Sequence, residues 1–252
     1  MIKAIKITLL VLVCLCLVGF MIAFIKSGFD FSKMKAELVY DEKYEADGIK
    51  TILVDTKSSD INIYESDDEE IKIKIYSDKK DKINVNKTDN EISIVNKQTS
   101  QMCFGFCFGN RKIDIYVPKT YEGKFEIKTT SGDIKSDLET SNDYKIKVTS
   151  GDIKIDRVNS LSGSATSGDI EIKEISSSIN FKTTSGDIEI DMFDVKANSS
   201  IKVTSGDVEI NQLTGAYVDA SAKSGDIKVK NNDRHADYEL IIKTTSGDIE
   251  VN

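Results

Sequence analysis

One tripeptide constrains this chain more than any other feature. Ser-Gly-Asp recurs with its glycine at positions 132, 151, 168, 186, 206, 225 and 247, at intervals of 17 to 22 residues. Self-similarity at that period marks a repeat architecture whose units bury their apolar side only by stacking on one another. The flanking residues show what kind of unit it is. Two positions after each glycine stand Ile134, Ile153, Ile170, Ile188, Val208, Ile227 and Ile249. Four after it stand Ile155, Ile172, Ile190, Ile210, Val229 and Val251, with Ser136 the one polar exception. Five and three positions before it the side chains are mostly apolar or small, as in Ile127 and Thr129 or Ile201 and Val203. Charged residues alternate with both sets, which is the period of a half-buried strand.

The phase of the pattern forces a turn. Inward positions before the glycine have odd offsets and those after it have even ones, so no straight strand buries both. The chain therefore bends at Ser-Gly-Asp, where glycine takes a positive φ and aspartate bonds nearby backbone. Apolar Val158, Ile175, Phe193 and Leu213, seven positions after their glycines, mark a further inward point. The expected fold is all-β, a parallel β-solenoid (β-helix-like) with coils of about 19 residues. Barrels and sandwiches also use short alternating strands but require no identical corner at a fixed interval.

The regular repeats occupy residues 119–252, entered at Pro118, the only proline. Residues 48–118 are strand-rich with degenerate repeats. Val54-x-Thr56 followed by Ser59-Asp60-Ile61-x-Ile63 reads as a coil with serine in the glycine position, and the rest reads as hairpins and a cap. Residues 27–47 are a charged spacer. Before them, residues 1–26 carry three lysines and no acid, and Ile7–Ile25 is interrupted only by Thr8. Nineteen residues at helical rise span about 28 Å, close to a bilayer's hydrocarbon thickness. No small-residue cleavage site follows, and Cys14 and Cys16 follow bulky residues, unlike a lipoprotein cysteine. The segment is expected to be one N-terminal transmembrane helix, a retained signal-anchor in the cell membrane with the C-terminal domain extracytoplasmic. Lysines on both flanks leave the orientation to the short basic head rather than to a charge bias.

Charge and composition exclude several functions. The chain carries 42 acidic and 34 basic residues, a formal −8, which argues against a nucleic-acid binder. A single histidine, His235, rules out any centre built on two imidazoles.

The stretch Asn110–Lys119, then Phe125–Ile134 and the repeats that follow, resembles the bacterial family known as putative adhesin, a membrane-anchored domain of unknown function. The likeness spans roughly residues 48–252. It implies a parallel β-solenoid held by one membrane segment, sometimes encoded beside cell-envelope stress genes, with an interaction role and no named ligand. It implies no catalytic residue.

Three features are candidates for chemistry. The first is the turn ladder of Gly132–Asp133, Gly151–Asp152, Gly168–Asp169, Gly186–Asp187, Gly206–Asp207, Gly225–Asp226 and Gly247–Asp248. With the coils in register its carboxylates stack one strand spacing apart, and like charges that close need compensation. Ca²⁺ is one answer, but Ca²⁺-binding β-rolls place a second glycine and ligand in a nine-residue repeat. The favoured answer is local satisfaction by backbone N–H groups and the neighbouring serine, with no metal or cofactor. The second feature is the loop holding Met102, Phe104, Phe106 and Phe108, either a contact surface for a membrane or partner or a lid over the first coil. Cys103 and Cys107 within it are a candidate disulfide. The third comprises two outward rows, Lys128, Lys147, Lys182, Lys202 and Lys243 at one offset and Lys135, Lys154, Glu171, Glu189 and Glu209 at another. Such rows grip an anionic polymer or simply keep a strand face solvated.

A polysaccharide-acting enzyme would need a carboxylate cluster that breaks the repeat, whereas these aspartates follow it. The expected function is non-catalytic: an envelope interaction protein whose polymer or protein ligand is unspecified, or a stress sensor contacting the membrane. The last strand, Ile249–Val251, ends the chain without a cap, so edge-to-edge self-association is expected there.

Overall fold

The computed structural model describes residues 36–78, 81–97, 111–230 and 232–252. The expected membrane helix, the first part of the spacer and the loop carrying Met102, Phe104, Phe106, Phe108, Cys103 and Cys107 lie outside these residues. Among the described residues all regular structure is β, and no helix is long and apolar enough to cross a membrane. The strands are β1 (Glu37–Glu45), β2 (Thr51–Ser58), β3 (Asp60–Ser66), β4 (Glu70–Ser77), β5 (Lys82–Lys87), β6 (Glu91–Lys97) and β7 (Lys112–Pro118). Then follow β8 (Lys124–Ser131), β9 (Ile134–Ser136), β10 (Asn142–Ser150), β11 (Ile153–Ser167), β12 (Ile170–Ser185) and β13 (Ile188–Asp194). The last are β14 (Ser199–Ser205), β15 (Val208–Thr214), β16 (Ala216–Ser224), β17 (Ile227–Val229), β18 (Tyr238–Ser246) and β19 (Ile249–Val251).

All nineteen join one hydrogen-bonded sheet that folds into two faces. The first face contains the strands that lead into the corners, in the order β5, β6, β2, β8, β10, the second halves of β11 and β12, β14, β18 and β16. The second contains the strands that leave them, in the order β1, β4, β7, β3, β9, the first halves of β11 and β12, β13, β15, β19 and β17. Pairing is parallel except for β5–β6, β1–β4 and β4–β7. Strands β11 and β12 run through the return bend unbroken, so each supplies both faces.

At all but the last corner of the stack the inward positions before and after the glycine enter one core, as Ile146, Val148, Ile153 and Ile155 do. Burying each such side chain contributes about 1.5–3 kcal/mol. Ser136, the polar exception in the pattern, has a reason to be there. Tyr144 is buried one coil further on, and its hydroxyl is 2.7 Å from Ser136 Oγ, so neither polar atom is stranded. The Tyr144 ring stacks on Phe125 at 5.0 Å between centroids.

Two expectations are corrected. Residues Glu37–Glu45, read as spacer, form β1, an edge strand antiparallel to β4. Its charges alternate with Val39, Tyr40 and Tyr44, which are partly buried against the core. Strand β19 is not the edge of the stack: it lies between β15 and β17, as β18 lies between β14 and β16. The last coil in sequence is thus the penultimate one in space, and among the described residues the edges at that end are β16 and β17. The interval between Gly225 and Gly247, 22 residues, is the longest of the series and supplies the chain needed to step back one level.

Candidate interaction surface

The corners form the most regular feature of the molecule. Ser59, Gly132, Gly151, Gly168, Gly186, Gly206, Gly247 and Gly225 stand in one column, each above the carbonyl of the one before. A methyl group on any of the seven glycines would lie 2.0–2.2 Å from that carbonyl oxygen, and their φ values run from 118° to 143°. Close approach and backbone conformation independently exclude a side chain.

The aspartates form a second column beside the first. The Asp152 N–H donates to Asp133 Oδ1 at 3.0 Å, Asp169 to Asp152 at 3.0 Å and Asp187 to Asp169 at 3.0 Å. The series continues from Asp207 to Asp187 at 2.8 Å, Asp248 to Asp207 at 2.7 Å and Asp226 to Asp248 at 2.7 Å. It begins at Asp60, which accepts from the Asp133 N–H at 3.2 Å. Every carboxylate of the column except that of Asp226, at its end, is therefore met by the next coil rather than within its own turn, correcting the local arrangement expected from sequence. The N–H dipole between successive carboxylates offsets part of their repulsion. Among the described residues no group of three or more Asp, Glu, His or Cys side chains is placed to hold a metal ion.

Outward from these columns the two faces differ in charge. On the first face Lys128, Lys147, Ser164, Lys182, Lys202, Lys243 and Ser221 follow one another in strand register. Lys128 pairs with Asp55 at 3.2 Å, but Lys147, Lys182, Lys202 and Lys243 have no ion-pair partner among the described residues. A shallow groove of about 330 Å³ runs beside the last three, lined also by Thr204, Ser221, Lys223 and Thr245. On the second face Lys135, Lys154, Glu171, Glu189, Glu209, Glu250 and Lys228 are in register. Two ion pairs link neighbours within that row, Lys154–Glu171 at 2.6 Å and Lys228–Glu250, the latter holding the Glu250 carboxyl below its ordinary range.

Two surface features went unread in the sequence. Thr130, Thr149, Thr166, Thr184, Thr204 and Thr245 share one offset from their glycines, and Lys223 is the exception in that column. The column has the same period as the tripeptide and is legible in the sequence. The other is a patch on β3, β7 and β4. Tyr64 stacks on Tyr116 at 5.2 Å, Lys112 sits over Tyr76 at 4.4 Å and binds Asp114 at 2.8 Å, and Asn62 donates to the same carboxylate at 2.9 Å. Partial burial, reinforced by the Asp114 charge, raises the Tyr64 and Tyr116 hydroxyls above the ordinary tyrosine range. These rings come together only across strands, so no local motif announces them. His235 is exposed between β17 and β18, its N–H donating to Asp233 Oδ1.

A column of glycine corners, a ladder of carboxylates and two outward rows define an all-β repeat protein organised by surface. The chain belongs to the Toastrack DUF4097 family, whose model matches residues 49–252. Among solved structures it is similar to a putative cell adhesion protein from Clostridium sporogenes ATCC 15579, at 15% identity and a TM-score of 0.38, covering 84% of this chain and 98% of that one. It is also similar to a putative adhesin from Bacteroides fragilis NCTC 9343, at 16% identity and a TM-score of 0.37, covering 86% and 99%. A third, a putative adhesin from Parabacteroides distasonis ATCC 8503, matches at 15% identity with a TM-score of 0.27, covering 86% and 99%. No curated protein matches the chain.

Proposed function

We propose that this protein is a membrane-anchored, extracytoplasmic β-solenoid with a non-catalytic, adhesin-like role in the cell envelope. One observation carries this reading: outward charges repeat in strand register over many coils, which suits a long ligand met along a face. The ionisable side chains follow the repeat instead of converging, unlike a general acid and base flanking one bond. The run Ile7–Ile25, apolar except for Thr8, supports an anchor, with the coils outside the cell.

The test uses the full chain in a non-ionic detergent as bait against fractionated envelope polymers and envelope proteins. Saturable capture of one fraction is the expected result. Failure to capture any fraction would remove the interaction role. The anchor is tested separately by alkaline extraction of membranes and by protease added to intact cells. Release by alkali, or full protection of the C-terminal domain from protease, would overturn the placement.

A further inference from the structure

We infer that the groove beside Lys182, Lys202 and Lys243 binds a linear polymer carrying phosphate groups along its length, a proposal that rests on the interaction reading and names its ligand class and face. The three lysines are exposed on consecutive strands, with Lys182 opposite Lys202 and Lys202 opposite Lys243. Like charges directly opposite on neighbouring strands destabilise a sheet. Several lysines elsewhere on this molecule are ion-paired, Lys124 and Lys145 with Glu126, Lys128 with Asp55, Lys154 with Glu171 and Lys173 with Asp156, whereas Lys182, Lys202 and Lys243 stand unpaired on successive strands among the described residues. Here no acid lines the groove, although the chain as a whole is at −8. The positive row is therefore local and opposed to the overall charge of the protein.

The lining indicates the partner. Lys223 closes the groove beyond Thr245, and the exposed Thr204 and Thr245 add hydroxyl donors between the ammonium groups. Every cation lining it is a lysine, whose compact ammonium charge suits phosphate oxygens approaching from any direction. The row runs along the stacking direction with one charge per strand spacing, about 4.8 Å. A small anion meets one or two of these charges, and only a polymer laid along the stack meets all of them.

The test uses the full chain in a non-ionic detergent and long-chain sodium polyphosphate as the probe, titrated at several salt concentrations. Binding is expected at low ionic strength. The K182Q/K202Q/K243Q variant should weaken it about tenfold or more and flatten the logarithmic salt dependence by about 2, since fewer counterions are released. A second variant, K154Q/K173Q on the opposite face, should bind as the parent does. Circular dichroism and thermal melting should show both variants folded, the first unchanged or more stable because repulsion is relieved. Absence of polyphosphate binding, or equal loss in both variants, overturns the proposal. So does displacement of the polymer by inorganic phosphate at equal phosphate concentration. Lysine-dependent binding to anionic phospholipid vesicles without polyphosphate binding would assign the face to a membrane instead. If the polymer fails to bind while envelope capture persists in the triple variant, this assignment falls and the interaction role survives.

Discussion

The two ends of the coil stack are built from the same alternating strands, yet they finish differently. At the end that starts with β2 and β3, the sheets continue into β6 and β7 and are completed by antiparallel β5, β4 and β1. Ile71, Ile73 and Ile75 on β4 are wholly buried there. At the other end β16 and β17 each have one strand neighbour among the described residues, and inward Ile227 is left 46% exposed. The outermost coil carries the same tripeptide as the interior ones. What it lacks, among the described residues, is a coil beyond it, so in this architecture stability follows position in the stack more than the quality of the individual repeat.

The largest test of this comparison is a deletion. Removing residues 238–252 takes out β18 and β19, which are interior strands, and leaves β16 and β17 without their neighbours. Hydrogen exchange should show the β16 amides unprotected, whereas a chain ending at residue 215 should keep protection through β14 and β15. Protected β16 amides in the shorter deletion would overturn the spatial order of the last two coils. Next in size is Gly206→Ala, which sets a methyl group 2.2 Å from the Gly186 carbonyl oxygen at a φ of 139°. A loss of about 3 kcal/mol or more is expected from denaturant unfolding, since strain and overlap act together.

Equivalent truncations at the two ends should then differ. Ile73→Ala at the closed end should cost about 2–5 kcal/mol. Ile227→Ala should cost about 1 kcal/mol or less because much of that side chain already meets water. Equal costs would mean that the open end is covered by something else. The aspartate column gives a smaller contrast. Asp207→Ala removes the acceptor of the Asp248 N–H and should cost about 1 kcal/mol, while Asp226→Ala, which accepts from no further coil, should cost less than about 0.5 kcal/mol.

The smallest effect concerns pH. Hydrogen bonding from Lys124, with Lys145 adding to it, lowers the Glu126 carboxyl, and Lys196 followed by Thr214 lowers Asp194. A carboxyl depressed in the folded state stabilises it above the unfolded value, and that contribution disappears as pH falls through the folded value. Thermal stability should therefore be level near neutrality and decline modestly as pH drops below the ordinary carboxylate range. These groups lie near the surface, so solvent screening keeps the change small. A rise in melting temperature on acidification would contradict the sign.

Much of the coil was legible because its signal is local. Ile134 and Ile153, or Ile127 and Ile146, lie at fixed offsets from a glycine, and the switch from odd to even offsets demanded a bend. The corner glycines were legible for the same reason. The partner of each aspartate was not, because an N–H supplied by the next coil and one supplied by the same turn leave identical residues in the sequence. The strand at Glu37–Glu45 was masked by its charges: on an edge, most side chains face water and the alternation fades. The lysine row was visible as a row, but which of its members are ion-paired, as Lys128 is with Asp55, depended on which residues stood beside them.

The sequence by itself determined the period, the direction in which each side chain points and the positions where only glycine fits. Those follow from the two-residue alternation of a strand and from the steric exclusion of Cβ at the corners. Only the tertiary structure decided which coil lies on which, and so which strands are edges and which lysines are left facing one another. The reason is that the coils present nearly the same backbone donors and acceptors to their neighbours. Stacking order then rests on side-chain fit and the reach of the connecting segments, as at the long interval before Gly247.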